Sequence, residues 1–258
     1  MKQRPILALL LLGLLTTAAV AETTKLHIHG FSPDGSKFIF EEFGVSDGSG
    51  IPHASLYAID VATDSYIDGT PFRSNFTETD AQQLEASKPD DFIAAAENIA
   101  REQLKKLSAD FMKTLGPTTK GTMRAQHSPF QLNPANPIRF STKGYELNYS
   151  STEGTKGWSL DLKPIEFEAK SSICKDWRDT EYGFRLVLTN EETKSVRVLN
   201  EDRRVPKSRS CPQNYHIENV ITHQSKDIIS VAVIVRYASR GFEGYNGRLL
   251  AVTGQINP

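Results

Sequence analysis

The stretch Phe31–Val61, FSPDGSKFIFEEFGVSDGSGIPHASLYAIDV, constrains the fold more than any other part of the chain. It reads as three short strands joined by two turns of different character. In Ser32-Pro33-Asp34-Gly35, Pro33 presets φ at the second turn position, Asp34 can bond its own backbone, and Gly35 accepts a left-handed exit. Lys37–Phe43 then alternates, with Phe38 and Phe40 on one face and Ile39 and Glu41 on the other. The glycine-rich Gly44–Pro52 is neither helix nor interior strand. Leu56–Val61 is the next strand, and Ala62-Thr63-Asp64-Ser65 turns it into another around Tyr66-Ile67.

Residues 1–21 read as a secretory signal, with Lys2 and Arg4 at the start, an apolar Ile6–Leu15 and an Ala19-Val20-Ala21 cleavage site. The apolar run falls short of the ~20 residues a membrane span needs, and no later stretch is longer. Cleavage after Ala21 would leave 28 basic and 31 acidic residues, a net charge of −3. That balance argues against a nucleic-acid partner, whose affinity rests on phosphate neutralisation. Two cysteines, Cys174 and Cys211, lie in the exported part. An even count in an oxidising compartment predicts one disulfide, worth about 4 kcal/mol by loop-closure entropy.

Lys25–Gly30 alternates as a strand and places His27 and His29 on one face. After Arg73 the texture becomes helical. Thr79 with Gln82 fits a capping box, and Pro89, Asp90 and Asp91 suit the start of a second helix. Phe92, Ala96, Ile99, Leu104, Leu107, Phe111 and Leu115 recur at helical spacing until Gly116-Pro117. The spacing predicts one amphipathic helix of about 26 residues packed on the protein's own sheet. Thr118–Pro137 reads as a loop-rich connection. Strands are then expected at Tyr145–Tyr149, Trp158–Leu162, Ile165–Ala169, Phe184–Leu188, Val196–Leu199, Tyr215–Ile221, Ile228–Tyr237 and Arg248–Ile256. Ile228–Val235, IISVAVIV, should be buried on both faces.

The last strands echo the first. His27-Ile28 aligns with His216-Ile217 and Ser36-Lys37 with Ser225-Lys226, while Leu56 and Ala58 align with Leu249 and Ala251. On that alignment the second glycine-rich loop, Ser239–Gly247, is the longer one, and both loops emerge on the same side.

The SPDG turn, strand, loop and strand ending in Ile59-Asp60 resemble one blade of a TolB-type or WD40-like β-propeller. A longer resemblance runs through Gly69-Thr70-Pro71, Leu199–Pro212 (LNEDRRVPKSRSCP) and Arg240–Gly244 (RGFEG). It is to a family of bacterial predicted secreted proteins of unknown function. That resemblance implies export and a β-rich fold, and carries no catalytic residue.

Catalytic patterns fail on context. Gly44-Val45-Ser46-Asp47-Gly48 spells a nucleophile elbow, but Ser49-Gly50-Ile51-Pro52 cannot start the helix that chemistry needs. Asp47–Gly50 lacks the spaced carboxylates of a calcium loop. Adjacent Glu41 and Glu42 point to opposite faces of a strand, so they cannot pair as acid and base. Asn75–Thr77 and Asn148–Ser150 fit the glycosylation sequon. The densest set of binding-type side chains is Arg240, Phe242, Glu243, Tyr245, Asn246 and Arg248, with Asp47 and His53 on the opposing loop.

These features predict a mainly β (α+β) fold of antiparallel sheets, propeller-blade-like or sandwich-like, with one long amphipathic helix inserted. Residues 22–258 are expected to form one domain: a blade-like unit at 22–76, a helical insertion at 77–117, and a β region at 118–258 that ends in a repeat of the first unit. The function expected is exported, non-catalytic binding or scaffolding at Asp47, His53, Arg240, Phe242, Glu243, Tyr245 and Arg248. An envelope protein or glycan would be the partner, in the periplasm or outside the cell, with no cofactor. The alternative is an envelope hydrolase or metal-dependent enzyme with His27, His29, His53 or His216 as a ligand.

Overall fold

The computed structural model describes residues 22–129, 136–142, 157–170, 172–177, 180–226, 228–241 and 244–256. The signal segment 1–21, the strand expected at 145–149, the sequon at 148–150, Phe242 and Glu243 lie outside the described residues.

The elements follow in chain order. β1 (Glu22–Thr23), β2 (Lys25–Phe31), β3 (Lys37–Val45), β4 (Pro52–Asp60), β5 (Ser65–Tyr66) and β6 (Phe72–Arg73) precede α1 (Glu78–Ser87) and α2 (Phe92–Leu115). Then come β7 (Thr122–Gln126), β8 (Ile138–Phe140), β9 (Trp158–Phe167), α3 (Ser172–Trp177), β10 (Glu181–Asn190) and β11 (Val196–Glu201). A short 3-10 turn at Lys207–Arg209 leads into β12 (Pro212–Ser225), β13 (Ile228–Arg240) and β14 (Tyr245–Ile256).

Three sheets result. The first runs β2-β3-β4-β5, with β6 also on β4; the central sheet runs β1-β14-β13-β12-β7; the third runs β11-β10-β9-β8. All pairings are antiparallel except the two-residue contact of β1 with β14. The first sheet has the meander of a blade. The sheets nevertheless stack face to face, which is the sandwich-like alternative, and nothing in the arrangement supports a propeller.

Strand alternation explains the stacking. On β13, Val231, Val233 and Val235 join the core against the third sheet, while Ala232 and Ile234 join the core against the first. Phe38, Phe40, Tyr57 and Ile59 of the first sheet face that second core. Ile39, Ala54, Leu56 and Ala58 face the other way, onto Ala100 and Leu104 of α2. The order is therefore helix, first sheet, central sheet, third sheet.

Several local expectations shift. The capping box sits at Thr77 and Asp80, since aspartate accepts the Thr77 backbone N–H (2.8 Å) as well as a longer side chain would. Helix α2 buries its small residues, Ala96, Ala100 and Ser108, with Leu104, while Ile99 and Leu107 stay exposed. Small side chains let the helix approach the sheet, so they rather than the largest apolar residues define its inner face. The connection 118–137 holds the edge strand β7, and β9 runs unbroken through Pro164. A proline is tolerated there because β8 pairs β9 only as far as Leu160. Cys174 of α3 and Cys211 form the expected disulfide.

The opening turn behaves as its residues dictate. Gly35 takes φ +73 and its N–H bonds Ser32 O at 2.8 Å. Hydrogen bonds from Ser32, then from Ser36, hold the Asp34 carboxyl down at about 2. Ser46 lies in the β3–β4 turn, where its N–H bonds Ile51 O at 2.9 Å, and a strand follows it rather than a helix.

Candidate functional site

The central sheet leaves one edge open. β1 covers β14 only at Asn246 and Gly247. Beyond them a cleft of about 930 Å³ runs along β14, walled by the first sheet on one side and by β11 and the 206–210 segment on the other. That size is ordinary for a small-ligand site.

Glu42 organises the floor. As Phe38 and Phe40 point into the interlayer core, so does Glu42 two residues on. Its Oε1 accepts the Tyr57 hydroxyl (2.7 Å) and Arg248 Nη2 (2.8 Å), and its Oε2 accepts the Leu249 N–H (3.1 Å). Burial, then the Glu42 charge, pushes the Tyr57 hydroxyl far above its ordinary value, so Tyr57 remains a donor. Further along β14, Asp64 accepts the Thr253 N–H (2.7 Å) and hydroxyl (2.9 Å). Burial raises the Asp64 carboxyl, and the bonds from Thr253 oppose the shift. Arg197 donates to Gln255 O.

Arg209 is held on the opposite wall. It pairs with Asp202 at 2.6 Å and lies over the Phe184 ring, 5.1 Å from its centroid. The disulfide fixes the end of this wall, since Cys211 O accepts the Arg240 N–H at 3.3 Å.

Arg73, Arg209, Arg240 and Arg248 thus line one cleft with Tyr57, Tyr66 and Tyr237; two carboxylates, Glu42 and Asp64, line it too, and Asp202 behind the wall takes Arg209. Glu42 is engaged by Arg248 and Tyr57, whereas the Arg73 side chain, on the strand paired with β4, makes no hydrogen bond or ion pair among the described residues. Tyr66 leaves 53 % of its surface exposed. The arrangement can bind an anionic group beside a planar ring face.

Of the residues expected from sequence, Arg240, Asn246 and Arg248 line this cleft. Tyr245 lies beneath Arg240, 5.4 Å from guanidinium to ring centre. Asp47 and His53 do not line it. Their loop turns onto the helices, where Gly50 faces Phe92 and Ala81, and the His53 ring lies against Gly44. The two hairpin ends are neighbours through Thr24, whose N–H bonds Gly247 O at 3.2 Å and whose Cα lies beside Gly44. Sequence reasoning missed Glu42, Tyr57, Tyr66 and Arg73. Arg209 entered only as part of the LNEDRRVPKSRSCP run, whose 206–210 segment lines the cleft with Arg240. For Arg73 no local signal exists.

His27 and His29 meet edge to face with ring centres 4.8 Å apart. Among the described residues no three potential metal ligands come together. No helix among the described residues is long and apolar enough to cross a membrane.

Layered antiparallel sheets define a β-rich α+β protein with an arginine-lined cleft at one edge of its central sheet. Residues 39–255 match the family described as "Predicted secreted protein (DUF2259)", and the chain belongs to that family. No curated protein and no solved structure matches it.

Proposed function

We propose that the chain is cut after Ala21, exported to the periplasm or beyond, and serves there as a non-catalytic binding protein for an acidic envelope glycan. The observation that carries this reading is a cleft lined by four arginines, of which Arg209 and Arg248 are held by Asp202 and Glu42, next to the exposed Tyr66. A sugar ring would lie on Tyr66, and its carboxylate or sulfate would reach Arg73 and Arg240. Strand addition by a peptide is disfavoured. The outward main-chain groups of β14 at Leu249, Thr253 and Gln255 are already taken by Glu42, Asp64 and Arg197.

The test is retention of uronic-acid oligosaccharides and their neutral counterparts by residues 22–258, beside an Arg73→Glu/Arg240→Glu variant. The native protein should prefer the acidic set, and the variant should lose at least about tenfold in affinity, as expected when charged hydrogen bonds are removed. Equal retention of acidic and neutral sugars, or unchanged binding by the variant, overturns the reading. Capture of an envelope protein instead would replace the glycan with a protein partner.

A further inference from the structure

The layer between the first and central sheets has a second open edge, formed by β2 and β7 on the side away from β14. It holds a cavity of about 770 Å³. Leu26, Ile28 and Met123 give it an apolar wall continuous with the interlayer core. Two successive residues of β12, Glu218 and Asn219, both line it. In a regular strand neighbours point to opposite faces. Here the register slips between Ile217 and Asn219, so Glu218 is the extra residue of a bulge. Bulges of this kind re-aim side chains.

The two polar groups differ in what they still need. Glu218 is paired with Arg236, and both are buried. Asn219 is 3 % exposed, and its Nδ2 reaches only the Met123 sulfur at 3.6 Å. Its Oδ1 is buried with no partner. A buried acceptor left empty costs about 1–3 kcal/mol, so a fold that keeps one is expected to fill it.

From this geometry we infer that the cavity is a second binding site, for a neutral, mainly apolar molecule carrying one hydroxyl or N–H donor. The donor goes to Asn219 Oδ1 and the apolar body lies along Leu26, Ile28 and Met123. Lys120 lines the cavity and opposes a cation, while Lys25 is taken by Glu97 at 2.7 Å. Glu218 and Arg236 cancel each other, and the Asn219 oxygen opposes an anion. The site is independent of the arginine cleft and does not rest on the glycan reading.

The test is an NMR titration of residues 22–258 with 1-decanol and with decyl methyl ether, which has the same apolar body and no donor. Native protein should show shifts at Leu26, Ile28 and Met123 and favour the alcohol by about fivefold to tenfold, the usual worth of one hydrogen bond. Asn219→Leu should bind both probes alike and keep its fold, because it removes an unsatisfied oxygen and only one long bond, to the Met123 sulfur. Leu26→Trp, on an edge strand, should block both probes. No shifts at those three residues, no preference for the alcohol, or a preference that survives Asn219→Leu each overturns the inference.

Discussion

The meander β2-β3-β4 and the meander β12-β13-β14 share one plan and differ in what they do with charge. In both, the first strand carries a bulge, at His29 and at Glu218. Ile28 and Ile217 are 189 residues apart, as are Gly30 and Asn219. His27 pairs with Glu41 and His216 with Arg236, each on the middle strand; these pair in turn with Leu56 and Leu249. Each bulged residue then meets that middle-strand charge: His29 Nε2 lies 3.4 Å from Glu41 Oε2, and Glu218 accepts from Arg236 Nε. The sign is reversed between the units; both carboxylates are buried, and what differs is the exposure of the cation each one meets. Glu218–Arg236 is closed in, and Arg236 also donates to Thr24 O and Gly247 O. Glu41 instead faces α2 and takes a half-exposed partner, Arg101, at 2.7 Å. One plan yields an ion pair closed inside the layers and a partly exposed one at the helix.

Breaking the buried pair should have the largest effect. Arg236→Met leaves the Glu218 carboxylate buried without a cation, which typically costs about 3–5 kcal/mol. Glu41→Gln in the other unit should cost no more than about 1 kcal/mol, the scale of a pair with an exposed partner. Urea denaturation of both variants checks the contrast. Glu218→Met/Arg236→Met should recover part of the loss, because two buried charges leave together. Equal costs for Arg236→Met and Glu41→Gln would end the distinction between the units.

The paired histidines sharpen it next. Burial, then the Arg236 charge, lowers His216 from 6.5 to about 4. Burial and His29 also lower His27, but the opposing Glu41 limits the shift. A histidine depressed in the fold binds its proton in the unfolded chain first. Stability therefore falls as pH drops from about 6.5 towards 4, by up to about 3 kcal/mol at 1.36 kcal/mol per unit. His216→Gln should flatten this part of the profile, and His27→Gln should flatten it less. Identical profiles for the two variants would mean that the middle-strand charge does not set the difference.

Much of this plan was legible in the sequence. The face alternation of Phe38, Ile39, Phe40 and Glu41, the two-faced burial of β13 and the 24-residue helix follow from local period alone. The echo at His27/His216 and Leu56/Leu249 was visible too. Aligning Ser36-Lys37 with Ser225-Lys226 misplaced the middle strand, because β12 and β13 keep pairing down to Ser225 and Ile228 whereas the first hairpin stops at Phe31 and Phe38. On the paired strands the β13–β14 connection is shorter than β3–β4, the reverse of the expectation. The short β7 and α3 have too few residues to show a period. The cleft was half legible: Arg240 and Arg248 stand in a dense local cluster, but Glu42, Tyr57 and Arg73 belong to it only through sheet stacking, which no local pattern encodes.

The smallest effect tests the outer pair through its sign. Burial pulls the Glu41 carboxyl up, but His29 and Arg101 outweigh it and leave it below its ordinary value. A depressed carboxyl contributes stability above its unfolded pKa and loses it as pH falls through the folded one. Arg101 also stacks over Phe43, 4.3 Å from the ring centre, so Arg101→Ala should cost about 1 kcal/mol at neutral pH. Replacing His29 as well leaves the His27 charge alone against burial at Glu41. Its folded pKa then exceeds the unfolded one, the folded state binds the extra proton, and acidification through the carboxylate range stabilises this site instead of weakening it. Subtracting the pH profile of His29→Ala/Arg101→Ala from that of the native protein isolates this term from the other carboxylates. A difference that keeps its sign at every pH would show that Glu41 is held by something other than its two cations, and the likeness between the two bulged units would then end at the backbone.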